Sequence, residues 1–311
     1  MTIDVIDTYE GLQRWEPTWS ELWRQCPRAT PFQSPQWLLP WTRRLFGGGE
    51  IWGLALRDGR QLIGFAPLFR WGLEQRTVSF LGAGISDYGD LLFAPGREAE
   101  CAAAVCRFLG NERHRWDVLD LQELRCGAGL LDRGRPEACS ICPVLDLKSY
   151  PETLDPKHRT DVRRARNKLS KGFDLRFTNV DQASFAQHFD EFLRLHHARW
   201  GRLDPSLECF HREVAAGFLG TGHLRLSLLW IGGVAAAATY CFTTGAALYC
   251  YLSGYDPSTP RLSPGAVLLG WVIDNAVAEG LEEVDFLRQT ERYKYLWGAR
   301  DRVNYKLWEI A

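Results

Sequence analysis

The stretch Tyr249-Cys-Tyr-Leu-Ser-Gly-Tyr-Asp-Pro257, followed by Ser263-Pro-Gly-Ala266 and the apolar run Val267-Leu-Leu-Gly-Trp-Val-Ile273, decides the reading of this chain. After Gly280 come Val284-Asp-Phe-Leu287 and Tyr293-Lys-Tyr-Leu-Trp297. The aromatic and β-branched run that ends at Gly, Asp and Pro reads as a strand. Ser263 as N-cap, Pro264 at the first helical position and Gly280 as terminator predict a helix between them. A second strand follows over 283–287. A small-residue loop feeding a helix start offers backbone N–H groups and a positive dipole end to an anion, so the implied ligand carries phosphate.

The rest of the chain frames that unit. Its 311 residues allow two domains, 37 basic against 38 acidic residues leave a net charge of −1, and no global nucleic-acid field follows. The 13 Trp read mainly as large core fillers. The nine Cys are scattered, Cys139-x-x-Cys142 has no second pair, and no metal is expected. The N-terminus has no signal pattern and the longest apolar run, Val234–Phe242, is too short to span a bilayer. A cytoplasmic protein is expected, of unspecified oligomeric state.

Two halves repeat one order of elements. The first has strands over 51–57 and 61–71 around Asp58-Gly59, strand-like pieces near 79–81 and 91–93, a helix opened by Pro95-Gly96, and a strand over 116–121. The second has strands over 224–231, 234–243 and 247–252 around Gly232-Gly233, the helix opened by Pro264-Gly265, and the strand over 283–287. This predicts an α/β protein of tandem domains, 1–150 and 151–311, each a mixed central sheet flanked by helices. Further helices are predicted over 156–170, 182–200 and 207–219. No Gly-x-Ser-x-Gly elbow, P-loop or dinucleotide fingerprint is present.

Gly254–Pro257, Ser263–Gly265, Gly280–Leu287 and Tyr293–Trp297 resemble the acyl-CoA-binding half of the GNAT superfamily, and more narrowly the CelD-type acetyltransferases, relatives of the Fem-type aminoacyl transferases. Pro31–Trp37, Ser86-Asp87-Tyr88, the basic run Arg159–Leu169 and Leu195–Trp200 extend the resemblance over most of the chain. It implies tandem GNAT-like folds and direct transfer of an acyl group, acetyl above all, from acyl-CoA to an amine or hydroxyl of a small molecule or saccharide. An aminoacyl-tRNA-dependent transferase and a non-catalytic scaffold are the alternatives. Pro264 and Ala266 make the loop poorer in Gly and N–H donors than the family's, which leaves acyl carrier protein or aminoacyl-tRNA open as donor.

The site residues follow from that resemblance. Arg261, Ser263, Gly265, Ala266 and Val267 are expected at the CoA pyrophosphate. Lys294 is expected to stabilise the reacting carbonyl or to be a surface lysine, with Tyr293 beside it. Asp285 and Glu291 are the base candidates, Asp285 being equally readable as a structural carboxylate. Tyr255 and Asp256 are placed at the acceptor or in a turn, and Asp87 and Tyr88 at the acceptor. Arg163 in the basic run faces solvent, an acidic group or RNA. His197, Arg199 and Trp200 fall near the family's acceptor contacts. The first domain is expected to have lost its donor site and to shape the acceptor cleft.

Overall fold

The structure, a computed structural model, describes residues 1–258 and 263–310. Two compact units divide the chain: Met1–Ile141 with the segment from Arg302 onward, and Cys142–Asp301. The first contains β1 (Thr2–Ile6), α1 (Tyr9–Gln25), α2 (Pro35–Arg44), β2 (Glu50–Ile51), β3 (Gly53–Asp58), β4 (Gln61–Ala66), β5 (Leu68–Trp71), β6 (Thr77–Phe80), β7 (Leu92–Phe93), α3 (Glu98–Asn111) and β8 (Val118–Arg125). β9 (Pro136–Asp146) carries the chain into the second unit. There follow α4 (Pro156–Gly172), β10 (Leu175–Asn179), α5 (Phe185–Trp200), α6 (Pro205–Gly220), β11 (Leu224–Ile231), β12 (Val234–Thr244), β13 (Ala247–Tyr255), α7 (Pro264–Ala278), β14 (Glu283–Asp285) and α8 (Arg292–Leu296). β15 (Arg300–Ile310) returns to the first unit, where it pairs with β8 from Asn304↔Arg125 to Ile310↔Val118.

In the first unit β1-β3-β4-β7 form one sheet, and β15-β8-β6-β5-β2 lie in order in another. The strand expected over 61–71 is split at Pro67, which has no N–H for a ladder. β4 therefore joins the first sheet through β3, and β5 joins the second through β6. The strand expected over 51–57 parts in the same way at Trp52, whose N–H bonds to the Leu68 carbonyl at 2.9 Å. Pro95-Gly96 does not open α3 either. Gly96 sits at φ 78° in a turn closed by Arg97 N–H on the Ala94 carbonyl, and the helix starts at Glu98.

The second unit orders its strands β10-β11-β12-β13-β14-β9, all antiparallel except β13 with β14. α7 supplies the core beneath them. Val267, Leu268 and Ile273 are buried with Leu248 and Cys241 of the sheet, and burying each such side chain contributes about 1.5–3 kcal/mol. Gly270 admits the Trp297 ring, which would lie 3.0 Å from a Cβ there. α4 lays Val162, Ala165 and Leu169 on the same core and leaves its basic side exposed. Each unit holds one parallel strand pair joined through a helix: β6 and β8 through α3, β13 and β14 through α7. The class is α/β, with mixed sheets flanked by helices, as expected. No helix among the described residues is long and apolar enough to cross a membrane.

Candidate active site

β13 and β14 stay paired over only three positions, Ala247↔Glu283, Leu248↔Val284 and Tyr249↔Asp285. β14 then ends, while β13 runs on through Cys250 to Tyr255 and keeps its ladder with β12 as far as Ala237↔Tyr255. The ladder shifts register between Tyr240 and Cys241, so Tyr251 is an extra residue, and such a bulge re-aims the side chains around it. Cys250 and Tyr255 pack toward the α7 side with Cys241, whereas the Tyr251 ring meets His211 of α6 at 5.5 Å.

Gly254 explains the Gly in Gly-Tyr-Asp-Pro. Its backbone needs no left-handed angle; it needs room, because a Cβ there would lie 2.4 Å from the His196 backbone nitrogen. α5 thus crosses directly over β13. The crossing sets the end of α5 against the strand extension: Trp200 Nε1 donates to the Ser253 carbonyl at 3.0 Å. The Arg199 guanidinium stands 4.4 Å over the Trp200 ring and 5.4 Å from the Tyr255 ring, both cation–π contacts. Trp200 remains 59% exposed, unusual for so large an apolar group. Sequence reasoning placed Arg199 and Trp200 together and Tyr255 apart from them; the structure brings all three together.

At the start of α7 the expectations are partly corrected. Ser263 is left-handed (φ 46°, ψ 48°) and its hydroxyl caps nothing in the helix. The Val267 N–H is used within the helix, on the Ser263 carbonyl at 3.1 Å. Gly265 and Ala266 are the N–H groups of the first turn without an intrahelical partner, since Pro264 has none. Gly265 turns its missing side chain toward Tyr255, 3.4 Å from a Cβ, rather than toward open space. No acidic side chain occupies this first turn. Arg261 lies outside the described residues.

The far end of the site is built by the loop between β14 and α8. Lys294 is 2% exposed, which removes the surface-lysine reading. Its Nζ donates to the carbonyls of Leu287 (3.1 Å), Arg288 (2.6 Å) and Gln289 (2.9 Å) and pairs with Glu291 Oε2 at 2.8 Å. An ammonium has three protons, and here all of them have acceptors within the loop, which it clamps. Asp285 is fully buried and its Oδ1 accepts the Leu287 N–H at 2.8 Å, which favours its structural reading. Glu291 is tied to Lys294 but keeps 40% of its side chain exposed. Tyr293 is 44% exposed, yet burial of its phenol, with Cys250 and Glu291 nearby, raises its pKa and keeps it protonated.

The cysteine pair Cys241 and Cys250 went unnoticed in the sequence. The two residues are direct cross-strand partners. A thiol hydrogen bond to Cys241, burial and Asp285 raise the Cys250 pKa against the opposing charge of Lys294. Only strand register could have revealed the pair, and the bulge hides that register.

Other candidates are tied into the fold. Asp256 accepts the Ser258 N–H at 2.8 Å, the turn reading, and the Ser258 hydroxyl together with that bond lowers its pKa. His197 reaches Glu208 at 3.2 Å and links α5 to α6. Arg163 is exposed on α4. Asp87 and Tyr88, expected at the acceptor, are both buried in the first unit, the Tyr88 carbonyl accepting from Gln33 at 3.0 Å and the Asp87 carbonyl from Asn304 at 3.2 Å. Pro31–Trp37 is structural as well, with Trp37 Nε1 donating to Ser86 Oγ at 2.9 Å.

Residues 156–295 match the acetyltransferase (GNAT) domain family. Among solved structures, FemX is similar over 98% of this chain and 97% of its own, with a TM-score of 0.67 at 10% identity. A conserved protein of unknown function from Bacteroides thetaiotaomicron aligns over 100% of both chains, with a TM-score of 0.65 at 11% identity. The C-terminal domain of a putative lysylphosphatidylglycerol synthetase from Agrobacterium fabrum covers 96% of this chain and 93% of its own, with a TM-score of 0.62 at 13% identity. At such identities the likeness concerns the fold. No curated protein sequence matches the chain.

Proposed function

We propose that this chain, an acyltransferase by the GNAT domain at residues 156–295, moves an acyl group, acetyl in the simplest case, from acyl-CoA to an amine or hydroxyl of a small molecule or saccharide. One observation carries the reading: β13 outruns β14 after Tyr249↔Asp285 and leads to the start of α7. An extended pantetheine arm fits such a strand extension as an added strand would, with the pyrophosphate at the N–H groups of Gly265 and Ala266. The thioester then falls near Cys250, between Tyr293 and the Trp200 end of α5.

Direct attack requires the acceptor to lose a proton and the departing thiolate to gain one. Glu291, half-exposed beside Lys294, is the base in this proposal. Tyr293, held protonated, is the acid that returns a proton to the CoA sulfur. Lys294 acts through the loop it clamps, as a positioning residue. The C-terminal unit alone carries the donor in this reading. In the first unit Glu98 and Glu100 occupy the first turn of α3, and Glu98 Oε1 takes the Gly96 N–H at 3.2 Å. Arg97 at the N-cap pairs with Glu100 at 2.7 Å, so this helix start is occupied by the chain's own side chains and the first copy is degenerate in this reading.

Calorimetry with acetyl-CoA, longer acyl-CoAs and free CoA tests the donor. Binding of CoA species with release of free thiol on adding amine or amino-sugar acceptors is expected. A folded protein that binds no CoA species would sink the proposal. The exposed arginines of α4, Arg159 and Arg163, favour one second reading, an aminoacyl-tRNA donor. That reading predicts affinity falling steeply with salt.

A further inference from the structure

The first unit contains a cavity of about 560 Å³, within the roughly 300–1,000 Å³ range of small-molecule sites. It is separate in sequence and unit from the donor site proposed above. Its floor is apolar, with Leu109 of α3, Leu121 of β8, Leu130 and Leu307 of β15 all nearly inaccessible to solvent. Its rim is basic: Arg113, Arg133 and Arg135 line it against the single acid Glu309. Arg113 is committed, 3.2 Å from Glu309 and stacked 3.8 Å over Trp116. Arg133 gives one amine to the Ala99 carbonyl at 3.3 Å. Arg135 has no hydrogen bond or ion pair among the described residues. Once Arg113 has neutralised Glu309, two guanidiniums stand over an apolar floor, and among the described residues that line the cavity no other acid faces them.

We infer that this cavity binds a small amphiphile, its apolar body on the leucine floor and a phosphate or carboxylate head between Arg133 and Arg135. Guanidinium forks suit both head groups, which they can grip through two parallel hydrogen bonds. The apolar body supplies affinity through buried area. Gly110 lines the cavity and a Cβ there would meet nothing within 4 Å, while Gly134 lies against Leu307, 3.0 Å from a Cβ. A larger side chain at position 110 would therefore occupy the cavity without displacing backbone.

The test is calorimetric titration of the full chain with dodecyl phosphate and with dodecanoate, each below its micelle concentration. Inorganic phosphate and dodecanol are the controls. One-site binding of either amphiphile is expected, with both controls weaker by about tenfold or more, the tighter amphiphile naming the head group. The double variant Arg133→Gln, Arg135→Gln should lose about tenfold in affinity. Gly110→Phe should abolish binding with its melting temperature unchanged; should it misfold, the arginine variant decides alone. Absence of binding by both amphiphiles, dodecanol binding as tightly as they do, or unaltered binding in the arginine variant would overturn the proposal.

Discussion

Lys294 donates to the carbonyl of Leu287 at 3.1 Å, and Leu287 takes a left-handed backbone angle, φ 58°, on the same loop. Gln289 is left-handed too, at φ 80°, and its carbonyl meets the same ammonium. Non-glycine residues in that region cost about 1–3 kcal/mol each, so the clamp holds a conformation the loop would otherwise leave.

Lys294→Met keeps the stem and removes the clamp. Three carbonyls lose a charged donor, and a hydrogen bond to a charged group contributes about 1.5–3 kcal/mol. Urea unfolding should report a loss of that size, with turnover falling alongside it. Unchanged stability with a large loss in kcat alone would instead return Lys294 to the reacting carbonyl.

Gly254→Ala should be nearly as damaging, although only a methyl group is added. Its Cβ would press on the α5 backbone at His196, which cannot rotate away as a side chain can. Overpacking of this kind costs about 1–3 kcal/mol. A urea midpoint equal to that of the parent would refute the close crossing of α5 and β13.

Ala266→Glu should give α7 the acidic first turn that α3 already has. An acid there stabilises a helix by about 0.3–1 kcal/mol, so the melting temperature should hold or rise. Acetyl-CoA affinity measured by calorimetry should fall by about tenfold, a loss of 1.4 kcal/mol. Full affinity in this variant would remove the start of α7 from the donor site.

Stability should fall on acidification from pH 6.5 to 4.5. Burial holds His211 down to about 3 and His196 down to about 4 in the folded chain. Both imidazoles are protonated near 6.5 once unfolded, so acid favours the unfolded state. Asp90 opposes them. Burial raises it to about 6, so it keeps a proton when folded that the unfolded chain has released, a contribution present at low pH and lost as pH rises through 6. Burial lowers His158 as well, so the imidazoles outweigh Asp90 by at least one proton, a net slope of about 1.4 kcal/mol per pH unit or more. Urea midpoints across this window check it, and His196→Gln should flatten the slope. A flat profile in the parent would show these imidazoles to be solvated.

The sequence made the second unit readable because its signals are local. Pro264 starts α7 and Gly280 follows it, each for a steric reason that holds in any context. The role of Lys294 was not readable: its partners are backbone carbonyls turned inward by Leu287 and Gln289, residue types that do not announce a left-handed angle. Trp200, Arg199 and Tyr255 come together only through the crossing at Gly254. β15 shows alternation in Val303, Tyr305 and Leu307, yet its partner β8 is far upstream in the chain. Tyr88 matched a motif, and only its packing under Phe32, at 6.2 Å between rings, identified it as core.

The return of β15 has a consequence for how the molecule is made. Asn304 donates to the Asp87 carbonyl and to Glu123 across separations of 217 and 181 residues. A ribosome delivers the whole of Cys142–Asp301 before it delivers Asn304. The unit that begins the chain is therefore finished last, and waits through synthesis with a strand position unfilled beside β8. Long closures of this kind slow folding, and an unpaired strand edge invites pairing with another chain. Nascent chains stalled before residue 304 should be the species that chaperones hold.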